Sequence, residues 1–142
     1  AAPREDADAW SAGLLEVRET HSAKGKGLFA RADIVNNRWL GEYTGEVLTQ
    51  EEYLAKYPNE DAQYVLGANT DYNIDAADAA NSSFLRYANH SSDPNCFYEV
   101  ERVRRQRQKR VMFYTARDVK RGEELTFDYG ASYWAGRADG PI

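Results

Sequence analysis

Short alternating segments punctuated by glycine, asparagine and proline predict a mainly β fold with short helices. Three observations carry that expectation. Apolar and polar residues alternate in 96–103 and 111–115, and a strand begins at Leu14. No strand–helix–strand succession of the kind that builds a parallel sheet is present. The clearest helix signal, Thr49 followed by Glu52, is cut short by Pro58.

The 142 residues make one domain, large enough to bury its own core. Ten of the residues are tyrosine, a side chain that lines a pocket while leaving a hydroxyl to aim. A single cysteine excludes an internal disulfide and any multi-cysteine zinc site, so no metal is expected. No apolar run approaches the roughly 20 residues of a membrane span, and no signal peptide is visible. The chain does not begin with Met, which points to a piece of a longer protein. Net charge is −5, divided unevenly: residues 1–101 carry −10 and residues 102–142 carry +5. An acidic larger part suits a basic partner, whereas a nucleic-acid binder is usually basic overall.

In chain order, 1–13 is polar, acidic and alanine-rich, and reads as a linker or extension with Trp10 as a docking point. After the first strand, Gly25 and Gly27 bracket Lys26. Such a pair serves a tight hairpin or the close approach of backbone to a ligand. The third glycine and helix of a dinucleotide fingerprint are missing, as is a P-loop. Residues 39–48 read as a strand pair interrupted by Gly41 and Gly45, and the capped helix follows from Glu51 to about Lys56. Short strands are expected at 63–66 and 72–76, then one or two helical turns capped by Asn81 or Ser82. Cys96–Val103 and Val111–Thr115 form a hairpin whose tip, Arg102–Arg110, holds six basic residues in nine. That tip is either a solvated turn or a contact for phosphate or an acidic surface. A turn at Lys120–Glu123 leads to a last strand, Leu125–Tyr129, and Tyr133–Trp134 follow in a Gly/Ala-rich tail.

The most informative stretch is Arg86–Cys96, RYANHSSDPNC, with one of two histidines and the only cysteine. Asn89, Ser91, Ser92, Asp93 and Asn95 favour turns, and Pro94 forbids a continuing helix. Apolar residues just before it anchor the loop, an arrangement that fixes amide and imidazole groups beside a ligand.

Four pieces stand in order: GKG, GEYTGEV, the NHSxxPN core of the central stretch, and GEELTFDYG. Together, from about Leu14 to Gly130, they resemble the SET domain, the S-adenosylmethionine-dependent protein-lysine methyltransferase fold. The resemblance implies a β-clip-like fold of small curved sheets with a threaded C-terminal segment, and divides the chain into 1–13, a domain at 14–130, and an aromatic tail at 131–142. It implies that Lys24, Gly25, Lys26 and Gly27 wrap the cofactor, that Tyr64 contacts it, and that Asn89 and His90 hold its amino group and adenine. Arg86 braces the loop. Tyr129 and Tyr43 are the implied catalytic residues, and Tyr43, Phe127 and Tyr129 line the channel for the substrate lysine. Phe127, two before the catalytic tyrosine, matches a gate where tyrosine stops transfer after one methyl, so di- and trimethylation are expected. Cysteine-rich zinc flanks found in many relatives are missing, which makes Tyr133 and Trp134 the candidate lid, with Trp134 against the adenine. Ser92 stands where many relatives have cysteine.

The implied partner is a basic protein or peptide, a histone tail or nucleosome, with DNA or an acidic surface at Arg102–Arg110 and the nucleus as location. A non-histone substrate, or a catalytically weak domain that binds peptide or nucleosomes, are the alternatives.

Overall fold

A computed structural model of the chain describes residues 7–58, 65–67, 72–78, 82–102 and 109–128. The first hairpin pairs β1 (Leu15–Glu19) with β2 (Lys26–Ala30), in register from Leu15 opposite Ala30 to Glu19 opposite Lys26. Gly25 takes φ +73° at its turn, a left-handed conformation open to glycine at no steric cost.

The strands β3 (Trp39–Tyr43) and β4 (Glu46–Thr49) do not form the pair expected from their sequence. Each enters a different sheet: β3 pairs with β9 (Lys109–Thr115), and β4 pairs with β6 (Tyr72–Asp75). Gly45 makes this divergence possible, because any Cβ there would overlap the backbone carbonyl of Asp75. The central antiparallel sheet has the order β3–β9–β8, with β8 spanning Cys96–Arg102. A second runs β4–β6–β5, with β5 at Val65–Gly67.

Helix α1 (Gln50–Lys56) carries the expected capping box: Thr49 accepts from the Glu52 amide at 3.1 Å, and Glu52 accepts from the Thr49 amide at 3.0 Å. The later helical turn is a 3₁₀ helix, Phe84–Tyr87, capped by Ser83 rather than Asn81 or Ser82. Ser83 accepts from the Leu85 amide, and the cap sits where it does because Leu85 must enter the core. The closing strand is shorter than expected: β10 is Thr126–Phe127 and pairs parallel with β7, Asn89–His90. Leu125 just before it bonds instead to the Leu28 carbonyl of β2.

One core joins these pieces through Leu28, Leu40, Leu85, Val111, Phe113, Leu125 and Phe127. Burial of each leucine contributes roughly 2 kcal/mol. From the 1–13 stretch, Ala9 is buried and donates its amide to the Leu40 carbonyl, while Trp10 stacks on Phe84 at 5.5 Å.

A polar cluster ties α1 to its sheet. Buried Asp75 accepts from Lys56 Nζ at 2.6 Å, Tyr57 Oη at 2.8 Å and the Ala77 amide at 3.0 Å. Burial pushes the Asp75 pKa up, but these donors outweigh it and leave the carboxyl below its ordinary value. A carboxylate depressed in the fold stabilises above its unfolded pKa, and that contribution is lost as pH falls through the folded value. Asp75→Asn is therefore expected to destabilise the protein by roughly 1–3 kcal/mol at neutral pH. Urea unfolding should show the gap from wild type shrinking at about pH 3. An equal gap at both pH values would remove the charge from the explanation.

Candidate active site

Three segments far apart in sequence meet where β7 lies beside β10: the loop into β2, the central loop, and the run from Glu124 to Asp128. Asn95 makes the junction. Its buried side chain donates to the Glu124 carbonyl at 2.8 Å and accepts from the Thr126 amide at 2.9 Å. A side-chain amide thus takes the place of a neighbouring strand for β10. On the other edge, the Ser91 amide donates to the Phe127 carbonyl at 3.1 Å.

The GKG loop docks on this junction from the opposite side. Lys24 Nζ donates to the His90 carbonyl at 3.2 Å, and Asn89 Nδ2 donates to the Lys26 carbonyl at 3.2 Å. The residues 24–27, Asn89 and His90, assigned to a common ligand by resemblance, are therefore neighbours. Gly27 leaves room for this approach: a Cβ there would lie 2.6 Å from Glu124 Oε2 and 2.9 Å from Thr20 Cγ2.

His90 is buried beside β10, with Nδ1 3.8 Å from Asp128 Oδ1. Burial pushes its pKa below the usual imidazole value; Asp128 opposes that and Lys24 adds to it. Arg86 braces the loop as expected, donating to the carbonyls of Ala76 at 2.7 Å and Ala77 at 3.0 Å.

An aromatic cluster adjoins the junction. Phe127 meets Phe113 edge-on at 4.9 Å and Tyr98 at 6.1 Å, while Phe113 stacks on Tyr43 at 5.9 Å and on Tyr98 at 5.6 Å. Tyr43 and Phe127, both buried, thus share Phe113 between them. Burial, with Asp128 adding to it, raises the Tyr98 pKa, so its phenol stays protonated at neutral pH. Such a cluster of packed rings excludes water.

Tyr64, Tyr129, Tyr133 and Trp134 lie outside the described residues, as does the hairpin tip at 103–108. At the tip's edge, Arg110 Nη2 lies 2.9 Å from Glu42 Oε1 on β3.

Sequence reasoning gave no site role to Tyr98, Phe113, Asn95 or Glu124. The alternation of 96–103 and 111–115 held a usable signal for the first two, which face each other directly across β8 and β9. Asn95 is visible only as the last residue of NHSxxPN, and nothing local separates Glu124 from Glu123.

The SET domain family matches residues 25–130. The rice (Oryza sativa subsp. japonica) histone-lysine N-methyltransferase CLF is 33% identical over 125 residues, which cover 82% of this chain and 14% of that protein. Human (Homo sapiens) histone-lysine N-methyltransferase SETD2 is 40% identical over 111 residues, 75% of this chain and 4% of that protein. The chain therefore spans only a small part of these relatives. Among solved structures, ctPRC2 in an autoinhibited conformation bound to S-adenosylmethionine superposes with a TM-score of 0.68 at 30% identity, covering 82% of this chain and 15% of that one.

The His90 environment has a measurable consequence. A histidine whose pKa is lowered by folding favours proton uptake in the unfolded chain, so stability falls as pH drops from about 6.5 through the folded value. Urea unfolding should show this decline between about pH 7 and pH 5.5, and His90→Gln should abolish it. His21, the other histidine, is exposed. A flat wild-type profile would contradict the burial argument.

Proposed function

The chain belongs to the SET-domain family, and from that premise we propose that it transfers methyl groups from S-adenosylmethionine to a lysine side chain of a protein, a histone tail being the substrate. The observation that carries the proposal is the meeting of the GKG loop, Asn89–His90 and the Phe127 aromatic cluster around one short parallel ladder.

The donor set suits the cofactor. Asn89 and the backbone of Lys24–Gly27 and His90 are neutral polar groups, which can accept from an ammonium. These residues would bind the amino-acid end and adenine, with Tyr64 and Trp134 assigned the same role by resemblance. When bound, S-adenosylmethionine supplies an electrophilic methyl group on a positively charged sulfur.

The protein's part is to orient and dehydrate the amine. Free lysine, with a pKa of about 10.4, is neutral in only about one molecule in a thousand near pH 7.4. Enclosure by Tyr43, Tyr98, Phe113 and Phe127 removes water, disfavours the ammonium form and lowers that pKa. The Tyr129 hydroxyl, in the FDYG position, is assigned the alignment of the amine, and positioning supplies much of the rate.

The surplus of acidic side chains in 1–101 supports a basic peptide substrate. Relatives named as histone methyltransferases support chromatin as its source, and hence the nucleus as its location. The basic run Arg102–Arg110 is assigned an auxiliary contact with nucleosomal DNA.

Incubation with labelled S-adenosylmethionine, histone peptides and nucleosomes tests the activity directly. Label should enter lysine, and Tyr129→Phe should slow transfer roughly 100-fold or more while leaving cofactor affinity nearly unchanged. Wild-type turnover in that variant would take the catalytic role from Tyr129. Product analysis tests the gate: mass spectrometry should find di- and trimethyl-lysine with wild type, and Phe127→Tyr should shift the mixture toward monomethyl-lysine. Wild type halting at one methyl under excess cofactor would transfer the limit to Tyr43 or Tyr98.

A further inference from the structure

Glu123 and Glu124 are adjacent and chemically identical, yet the fold uses them differently. Glu123 stays at the turn, where Oε1 accepts from the Lys120 amide at 2.8 Å. Glu124 is turned inward. Its backbone is held on two sides, by an antiparallel bridge to Phe29 and by Asn95 donating to its carbonyl at 2.8 Å. Its carboxylate Oε2 accepts from Asn89 Nδ2 at 2.7 Å. The seat exists because residue 27 is glycine, since a Cβ there would come within 2.6 Å of that oxygen.

An asparagine amide has two N–H donors and one carbonyl acceptor. The Asn89 nitrogen meets two acceptors, Glu124 Oε2 at 2.7 Å and the Lys26 carbonyl at 3.2 Å. Rotating the amide by half a turn would set its oxygen against a carboxylate and a carbonyl, two like partial charges in a partly buried site. Both donors are thereby committed, and Oδ1 is the acceptor left to meet a ligand.

We infer that Glu124 is a positioning residue that locks the Asn89 amide so that Oδ1 is offered to a cationic donor, the ammonium at the amino-acid end of the cofactor. The identity of that ligand rests on the function proposed above; the lock itself does not.

The test combines calorimetry with a ligand-free measurement. S-adenosylhomocysteine, which keeps the ammonium, should bind Glu124→Ala roughly tenfold more weakly than wild type. Glu124→Gln retains an acceptor oxygen but can also present its own amide, so its affinity should fall between the two. In an Asn89→Ala background the Glu124→Ala loss should drop below about twofold, because the two changes act through one contact. Methylthioadenosine, which lacks the amino-acid end, should bind wild type and Glu124→Ala alike. Equal losses in both backgrounds, or for both ligands, would overturn the inference. Without ligand, NMR of the Asn89 side-chain amide should show slowed hydrogen exchange that Glu124→Gln relieves. This readout needs only the conservative variant and so survives any failure of Glu124→Ala to fold. An amide signal indifferent to Glu124→Gln would refute the lock. A responsive signal in a protein that binds neither ligand would uphold the lock and refute the functional reading instead.

Discussion

The architecture of the site rests on one buried side-chain amide. Asn95 bonds to the carbonyl of Glu124 and to the amide of Thr126, so it satisfies β10 where that strand has no backbone neighbour. A two-residue strand cannot hold itself in place. Unpaired, its polar groups would be costly to bury, and β10 would have to face solvent. Because Asn95 satisfies them, the strand can enter the interior, lie parallel to β7 and turn Phe127 into the core. The same contact fixes the direction of Glu124, and through it the amide of Asn89.

Around this junction the fold divides polar from apolar duty. On one side, backbone carbonyls and neutral amides from the GKG loop and β7 make a polar cradle. On the other, Phe127, Phe113, Tyr98 and Tyr43 make a wall of rings. The proposed methyl transfer between a charged cofactor and a lysine asks for that contrast: acceptors that hold a cation by its polar end, and a dry surface where an ammonium is disfavoured. His90 is held toward its neutral form by burial, and Glu124 is spent on Asn89.

The second sheet is stabilised differently. It packs a small cluster of Leu48 and Tyr53 with Tyr57, and depends on the Lys56–Asp75–Tyr57 network to hold α1. Replacing such a buried polar link by apolar packing is often neutral elsewhere, whereas removing one partner leaves the other uncompensated. Gly45 allows the Asp75 backbone to approach closely enough for this network to form beside β4.

Much of this was decided locally and could be read from sequence. The Thr49–Glu52 box, the hairpin at 15–30 and the strands 96–102 and 109–115 depend on groups near one another in the chain, so spacing specifies them. The ordered motifs also indicated which of Asn89, His90, Tyr43 and Phe127 to consider together. Tertiary structure alone decided the rest. That β3 and β4 part into different sheets depends on the Asp75 backbone lying against Gly45, thirty residues distant in sequence. That Glu124 rather than Glu123 faces Asn89 depends on which carbonyl Asn95 engages. Every residue offers a backbone donor or acceptor of similar strength, so composition cannot say which distant pair will meet; packing of the core makes that choice.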